Sequence, residues 1–319
     1  SANTPAKLGR ISTDMTLTTV SLAGLGSDEP LQLGFVNSTL AFLSTINQSI
    51  NSSTHSCVCN GHIYSFNPSL TSATITPLLV GDGFKLLLPI SASYSSGSLW
   101  VTQHSASNVV RYDIGAKSWT TYPTSSVAWS PINPAYVIEA TKGGVWFNEH
   151  YANKISLLNP GTGTLTEYSE SNPPASNYTD IQNDLSIAAT DGGLWFTSLS
   201  GNYLGFVSSG YDPGFHVSVS GTNTAAIAPG GHASFTLNVT GSWSGPMAVT
   251  TSDSEVGSSK LNLIQVIPGV SAIPVGGSPY SLGVKIVVDQ KIHAGGYTIA
   301  VTLTNGGVQQ TVYCFVIVR

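Results

Sequence analysis

The fold is decided by the stretch Gly143-Gly-Val-Trp-Phe-Asn-Glu-His150, which continues as Tyr151-Ala-Asn-Lys-Ile-Ser-Leu-Leu-Asn-Pro160 and Gly161-Thr-Gly-Thr-Leu-Thr-Glu-Tyr168. Apolar, β-branched and aromatic runs alternate here with Gly, Asn and Pro clusters. Such runs form short strands, and such clusters form tight turns. The stretch therefore predicts three consecutive antiparallel strands.

The same unit recurs on either side of this stretch. Gly97-Ser-Leu-Trp-Val-Thr-Gln-His104 precedes it and Gly192-Gly-Leu-Trp-Phe-Thr-Ser198 follows it, which places tryptophans at intervals of 46 and 49 residues. A strand-turn-strand unit that repeats every 40 to 50 residues or so is the signature of a β-propeller blade. The N-terminal part of the chain is therefore predicted to be a β-propeller.

The repeats account for about four and a half blades, because the first unit matches only the second half of the repeat. We expect a propeller domain at 1–212, with blades at about 1–22, 31–81, 89–123, 135–169 and 185–212. Four and a half blades close poorly, so either upstream sequence has been removed or a second polypeptide completes the ring. The alternative is a small five-bladed propeller whose first blade is short.

The pattern changes near residue 213, from which seven short strands alternate apolar and polar residues. This pattern predicts an antiparallel immunoglobulin-like β-sandwich at 213–319. The run from Ala294 to Thr304 resembles the penultimate strand of archaeal and bacterial surface immunoglobulin-like domains. The last strand, 311–318, is almost entirely apolar, so it is either buried at the centre of its own sheet or paired with something outside the chain.

The composition points to an extracellular protein. Only 8% of the residues are charged and the net charge is -5, without a basic stripe, which argues against a nucleic-acid partner. No apolar run of about 18 residues exists, so no membrane span is predicted. Acceptor motifs for N-linked glycans occur at five asparagines, which are Asn37, Asn47, Asn51, Asn177 and Asn238.

The repeat GGVWFNEHYANKISLLNPGTGTLTEY resembles the blade of the virginiamycin B lyase-like propellers, a family of mostly seven-bladed proteins. The resemblance covers about 1–210 and implies a propeller fold. It also implies a lyase in which a metal held by acidic side chains acts with a nearby His at the ring centre. Here Glu149 and His150 stand in one blade, Gln103 and His104 in the blade before it, and Ser198 in the blade after it.

His104, His150 and Glu149 are therefore the candidate catalytic residues, since a His pair with a carboxylate can perform acid/base work or bind a metal. Metal binding requires acidic ligands from several blades, and an acidic residue occupies this position only in the blade of Glu149. The structural interpretation is that Gln103 and Glu149 hydrogen-bond neighbouring backbone at a strand end and that the two histidines are surface residues. We favour that interpretation, and no metal or other cofactor is predicted.

A second candidate site is the cluster of two histidines and two cysteines in His55-Ser-Cys57-Val-Cys59-Asn-Gly-His62. These ligand types suit zinc or copper, but secreted thiols usually form disulfides. A disulfide involving Cys57 or Cys59 is the preferred prediction, with one of them paired to Cys314 as an option. Free thiols are the remaining alternative.

These features together predict a non-enzymatic, cell-surface glycoprotein with a structural, adhesive or filament- or S-layer-type assembly role. The expected partners are further copies of the chain or a second polypeptide that completes the propeller. The alternatives are a metal-dependent lyase acting at the propeller centre and a glycan-binding module.

Overall fold

The computed structural model is an all-β protein, and its described residues form strands and turns with no helix. The all-β class predicted from the sequence is therefore confirmed. No helix long and apolar enough to cross a membrane occurs in the described part of the chain. The structure describes residues 7–22, 25, 28–51, 56–68, 76–77, 86–104, 106, 108–125, 135–141, 143–149, 152, 154–169, 184–190, 192–198, 203–208, 214–253, 263–277, 279–306 and 308–319.

The chain begins with a two-stranded hairpin, called the N-terminal hairpin, and continues into two antiparallel sheets. The hairpin consists of β1 (Lys7–Ile11) and β2 (Leu17–Ser21). The first sheet contains β3 (Glu29–Asn37), β4 (Leu40–Asn51), β5 (Ser56–Asn60), β6 (Ile63–Phe66) and β7 (Thr76–Pro77). The second sheet contains β8 (Pro89–Ser95), β9 (Ser98–Gln103), β10 (Asn108–Asp113) and β11 (Ser118–Pro123).

Two further sheets follow the same up-and-down order. The third sheet contains β12 (Ala135–Ala140), β13 (Val145–Glu149), β14 (Lys154–Asn159) and β15 (Thr164–Ser169). The fourth sheet contains β16 (Asp184–Thr190), β17 (Gly193–Ser198) and β18 (Tyr203–Ser208). In the described part of the chain the fourth sheet therefore has one strand fewer than the second and third sheets.

Local sequence explains the tight connections between these strands. Ser96 and Gly97 both have positive φ, at 51° and 78°, and they form the two-residue turn that joins β8 to β9. Turns with two positive φ angles match the twist of the flanking strands. Gly193 opens β17 at a φ of 147°, and a Cβ there would lie 2.1 Å from the carbonyl oxygen of Val207. Only glycine fits this position without displacing β18.

The four sheets stack face to face in chain order, and hydrogen bonds join neighbouring sheets. The Oγ atom of Ser44 donates to the carbonyl of Ile90 at 2.9 Å, which links the first sheet to the second. The amide of Ala140 donates to Oγ of Ser93 at 2.9 Å, which links the second sheet to the third. We call the face that a sheet turns toward the next sheet its leading face, and the opposite face its trailing face.

Apolar side chains fill the spaces between the stacked faces. Trp100 on the leading face of the second sheet packs with Phe147 on the trailing face of the third. Trp146 on the leading face of the third sheet packs with Leu194 and Phe196 on the trailing face of the fourth. The repeated tryptophan therefore belongs to the core in both positions, since burial of large apolar surfaces is the main force that holds such layers together.

The C-terminal region consists of two layers that share one apolar core. The first layer contains β19 (Phe215–Val219), β21 (His232–Trp243), β23 (Ile264–Pro268), β25 (Gly276–Gly277) and β26 (Tyr280–Val288). The second layer contains β20 (Thr224–Ile227), β22 (Met247–Asp253), β24 (Ala272–Ile273), β27 (Gly295–Asn305) and β28 (Val308–Val318). Side chains such as Leu237 from the first layer and Leu303 from the second are fully buried between them.

The second layer is continuous with the third sheet, because β28 pairs with β15 as well as with β27. The register places Thr164 opposite Val312 and Tyr168 opposite Val308. The strand also pairs in parallel with β20, so it lies within its own sheet and extends that sheet to another part of the chain. The strand is therefore a central strand of its own sheet, and its described partners β15, β20 and β27 all belong to the same chain.

The N-terminal hairpin differs from the half blade that the sequence predicts. Its strands pair with each other, and no strand of the described residues extends this pair. Its Leu8 packs against Leu43 and Tyr64 on the trailing face of the first sheet. The hairpin therefore covers part of that face as a separate two-stranded layer.

Candidate functional site

In the second, third and fourth sheets a polar position recurs at the end of the second strand and the start of the third. In the first sheet the corresponding Thr45 lies within β4, and His62 lies just before β6. The residue pairs there are Thr45 with His62, Gln103 with Asn108, Glu149 with Lys154, and Ser198 with Tyr203. At this point the backbone ladder ends, so polar side chains replace the missing backbone partners. The predicted site residues Gln103 and Glu149 belong to this series.

In the second sheet this position is structural. Oε1 of Gln103 accepts a hydrogen bond from the amide of Leu87 at 2.8 Å, and its Nε2 donates to Oδ1 of Asn108 at 2.7 Å. The backbone amide of His104 donates to the carbonyl of Leu88 at 3.0 Å, and the residue is buried, so the expectation of a surface histidine is wrong for His104. His150 lies outside the described residues, so the predicted pairing of the two histidines stays a prediction.

In the third sheet the same position holds a buried carboxylate pair. Glu149 in β13 and Glu167 in β15 are both fully buried on the trailing face. Oε1 of Glu149 accepts a hydrogen bond of 2.5 Å from Oγ of Ser156. Nζ of Lys154 lies 3.7 Å from Oε1 of Glu167, which forms an ion pair. We define the buried carboxylate cluster as Glu149, Glu167, Ser156, Lys154, Ser125 and Gln309.

Two segments that are distant in sequence from the third sheet complete the cluster. Ser125, which follows β11, donates from Oγ to Oε1 of Glu167 at 2.7 Å and lies 2.9 Å from Oε1 of Gln309. Gln309 belongs to β28, and its Oε1 also accepts a hydrogen bond from Nζ of Lys154. The cluster therefore ties the second sheet, the third sheet and the C-terminal layer together.

Burial controls the charge of this cluster. Desolvation first and the nearby Glu149 second raise the pKa of Glu167, while Lys154 and Ser125 oppose the shift, and the resulting pKa is about 8 in place of 4.5. Glu167 is therefore protonated at neutral pH. In the described part of the chain, Oε2 of Glu149 and Oε2 of Glu167 have no hydrogen-bond partner.

This arrangement suits a structural joint better than a catalytic centre. A general acid must reach its substrate, and both carboxyls of the cluster are fully buried beneath Tyr313 and its neighbours. Groups of three or more His, Cys, Asp or Glu side chains able to hold a metal are not found among the described residues. Glu149 is bonded by the side chain of Ser156 and not by the neighbouring backbone that the structural interpretation expects, so the role of Glu149 stays a prediction.

A second polar cluster, in the first sheet, was not anticipated as such from the sequence. Asp28 accepts hydrogen bonds of 2.7 Å from Oγ1 of Thr45 and 3.4 Å from the hydroxyl of Tyr64. Its Oδ2 also lies 2.7 Å from Nδ1 of His62; the side chains of Asp28 and His62 are 5% and 56% exposed. Burial alone would raise the pKa of Asp28, but the hydrogen bonds from Thr45 and His62 outweigh it and lower that pKa.

His62 therefore has a different partner from the one that the His55-to-His62 cluster suggested. His55 lies outside the described residues, as do the side chains of Cys57 and Cys59 on β5, so a metal or a disulfide there stays a prediction. Cys314 is a free thiol in the core of the C-terminal region, and burial raises its pKa to about 12. The optional disulfide between Cys314 and Cys57 or Cys59 is thus not present in the structure.

The predicted glycan acceptors differ in their surroundings. Asn37 and Asn238 are exposed, and Oδ1 of Asn37 accepts a hydrogen bond from the amide of Thr39 at 2.8 Å. Asn47 is half-buried and hydrogen-bonds Asp28. Asn177 and the side chain of Asn51 lie outside the described residues, so glycosylation at all five positions stays a prediction.

No protein-family model and no curated protein sequence matches the chain. Among solved structures, a nidogen/laminin complex aligns with a TM-score of 0.36 and 8% identity, over 64% of this chain and 86% of that one. Glutaminyl cyclase from Myxococcus xanthus aligns at 0.32 with 12% identity, over 60% and 83% of the two chains. Domains 4 and 5 of the S-layer protein SbsC align at 0.23 with 16% identity, over 62% and 89%. At these scores the similarities carry no functional argument.

Proposed function

We propose that this chain is an extracellular cell-surface glycoprotein with a structural role in a filament- or S-layer-type assembly. In this proposal the stacked sheets are blades of an open β-propeller, as the resemblance to virginiamycin B lyase-like repeats implies. The two C-terminal layers form an immunoglobulin-like sandwich that is fixed to the third blade. The chain functions by joining to further protein through the open ends of its stack.

One observation carries the proposal: the leading face of the fourth sheet is apolar and exposed. Trp195 is 42% exposed, whereas the equivalent Trp100 and Trp146 are each 2% exposed. Trp195 stacks with Phe206, which is 45% exposed, at a ring-centroid distance of 4.7 Å. Contiguous exposed apolar surface on a soluble protein usually marks an interaction site.

The composition supports an extracellular location. Charged residues make up 8% of the chain, which is well below the average of about 25% for soluble proteins. Hydroxyls, amides and attached glycans would then supply the hydration that charges supply elsewhere. The exposed Asn37 and Asn238 are the described acceptors best placed to carry glycans.

Sedimentation velocity of the native chain over a wide concentration range tests the assembly role. We expect the average mass to rise with concentration through multiples of the 33.2 kDa chain. Intact-mass analysis of the native material tests the glycans and locates both termini. A chain that stays monomeric at every concentration and carries no glycan would contradict the proposal.

A glycan-binding module is the second candidate, and the same aromatic pair favours it. Exposed Trp and Tyr rings stack on the apolar faces of sugars, much as they stack on other flat ligands. A glycan array would distinguish the two functions, because a binding module retains its affinity as a monomer. Loss of glycan binding in Trp195→Ala, with unchanged mass in solution, would favour the second candidate.

A further inference from the structure

We infer that a second copy of this chain docks head to tail on the fourth sheet, with its N-terminal hairpin and β3 against Trp195 and Phe206. The inference rests on the proposed assembly role and specifies which surfaces meet.

The leading face of the fourth sheet has the composition of an interior surface. Trp195 lies opposite Phe206, and Thr197 lies opposite Leu204, so these four side chains share one face. Leu204 is exposed to an even greater degree than its two aromatic neighbours. The face carries no charged side chain among its described residues. In the third sheet the equivalent face, which includes Trp146, is covered by the next sheet.

The opposite end of the stack exposes a trailing face on which the apolar Ile11 and Leu17 lie at the turn and Lys7 lies at the other end of the strand. Ile11 pairs with Leu17 next to the hairpin turn, as Leu158 pairs with Leu165 next to the turn of the third sheet. Leu158 and Leu165 are buried against the preceding sheet, whereas Ile11 and Leu17 are 65% and 62% exposed. Among the described residues, no sheet covers the trailing face of the hairpin.

The first strand of the first sheet is uncovered on the same side. Leu33 lies opposite Leu43 and Phe35 opposite Ala41, so Leu33 and Phe35 belong to the trailing face. Leu43 and Ala41 are buried beneath the hairpin region, but Leu33 and Phe35 are exposed. The two-stranded hairpin is too narrow to cover this part of the face. An apolar surface thus extends from the hairpin to β3.

The chain itself shows how such surfaces combine. Each internal contact in the stack places a leading face on a trailing face, as Trp146 and Ile155 pack on Leu194 and Phe196. The unpaired leading face is at the C-terminal end of the stack, and the unpaired trailing face is at its N-terminal end. The first, second and third sheets lie between the hairpin and the fourth sheet within one chain, so a second copy brings the two ends together by repeating the existing contact.

The symmetry of this contact determines the product. Two different surfaces meet, so the interface is heterologous, and each added copy leaves one end of each kind open. Such contacts generate rings when the rotation closes and filaments when it does not. A simple two-fold dimer would require one surface to meet itself, which this arrangement does not provide.

The test uses two variants of the full chain, Phe206→Glu and Leu17→Glu. The first places a charge on the leading face of the fourth sheet, and the second places one on the trailing face of the hairpin. Both side chains are exposed in the single chain, so both variants should fold. Val275→Glu is the matched control, because Val275 is an exposed apolar residue of the C-terminal region at 61%. Circular dichroism and thermal unfolding establish that all variants remain folded.

We expect each end variant alone to associate about 100-fold more weakly than the native chain, as for a charge placed in an apolar interface centre. An equimolar mixture should form heterodimers and stop there, because each variant retains one functional end. The control should associate like the native chain. Sedimentation velocity measures the mass in each case.

The outcomes separate this inference from the proposed function. If the native chain assembles and both end variants assemble equally well, the head-to-tail contact is wrong and the assembly role stands. If both variants are monomeric and their mixture is also monomeric, the two faces do not bind each other. A native chain that is monomeric throughout overturns the assembly role itself. Glycan binding by that monomer would identify the aromatic face as a ligand site.

Discussion

The hydroxyl of Tyr313 donates a hydrogen bond of 2.8 Å to the carbonyl of Pro123, a residue 190 positions earlier in the chain. The Tyr313 ring also meets Tyr122 edge-on at 5.2 Å and packs with the tryptophan of the second sheet. One side chain of the last strand thus lies in the core between the second and third sheets. The C-terminal region and the stack therefore form one packed unit.

Replacing Tyr313 with Phe should lower the free energy of unfolding by about 1 to 2 kcal/mol, because the buried Pro123 carbonyl loses its donor. Chemical denaturation measures the loss. Tyr280→Phe is the matched control, since Tyr280 is half-buried in the other layer. Equal stabilities of native chain and Tyr313→Phe would show that the hydrogen bond contributes nothing.

The buried carboxylate cluster predicts an unusual pH dependence. The pKa of Glu167 rises from 4.5 to about 8 on folding, so between these values the folded chain holds a proton that the unfolded chain has released. Stability should therefore fall as pH rises from about 4.5 to 8, by at most about 1.4 kcal/mol per pH unit from this group. Above pH 8 the contribution should level off.

Urea unfolding at several pH values, compared between the native chain and Glu167→Gln, isolates this effect. The variant keeps the neutral side chain at every pH, so its stability relative to the native chain should increase toward pH 8. Glu29→Gln serves as the control, because Glu29 is exposed at the start of β3. A native-to-variant difference that does not change with pH would contradict the raised pKa.

Gln310 joins the two C-terminal layers, because its side-chain amide forms hydrogen bonds to backbone groups of the other layer. Its Nε2 donates to the carbonyl of Phe215 at 2.7 Å, and its Oε1 accepts from the amide of Val217 at 3.1 Å. Gln310→Leu leaves both buried backbone groups without partners and should cost about 2 to 4 kcal/mol. Thermal unfolding measures the loss, with exposed Gln265→Leu as control. A variant as stable as the control would contradict the proposed role.

Asp28 should matter more to stability than its neighbour His62. Asp28→Ala removes a buried acceptor from Thr45, His62 and Tyr64 and should cost about 1 to 3 kcal/mol. Its lowered pKa means that its stabilisation is present above 3.8 and is lost as pH falls below that value. Acid titration of native chain and variant tests the sign. His62→Ala should cost less because the imidazole is largely solvated, and the reverse order would contradict this account.

The sequence predicts the strands well, because their signals are local. Gly-rich turns and apolar runs such as Val145 to Phe147 need no distant partner to form a strand. The exposure of Trp195 could not be predicted, because its sequence motif matches that of the buried Trp146. Trp195 is exposed because no further sheet of the described residues packs on the fourth sheet. Glu149 was recognised from its place in the repeat, but its partner Glu167 was not.

The reason is that the cluster around Glu167 is assembled from remote segments. Ser125 and Gln309 lie 184 residues apart, and no spacing rule connects them. The pairing of β15 with β28 is equally non-local. The only sequence signal for this strand is the nearly continuous apolar run from Val312 to Val318, which indicates a strand that is covered on both faces. Long-range pairings of this kind come from the packing of whole sheets.

Electron cryomicroscopy of the assembled native chain tests the central claim most directly. The account predicts that Ile11 and Leu17 of one copy contact Trp195 and Phe206 of the next, with the same orientation at every junction. Copies joined through other surfaces, with Trp195 and Phe206 facing solvent in every one, would contradict it.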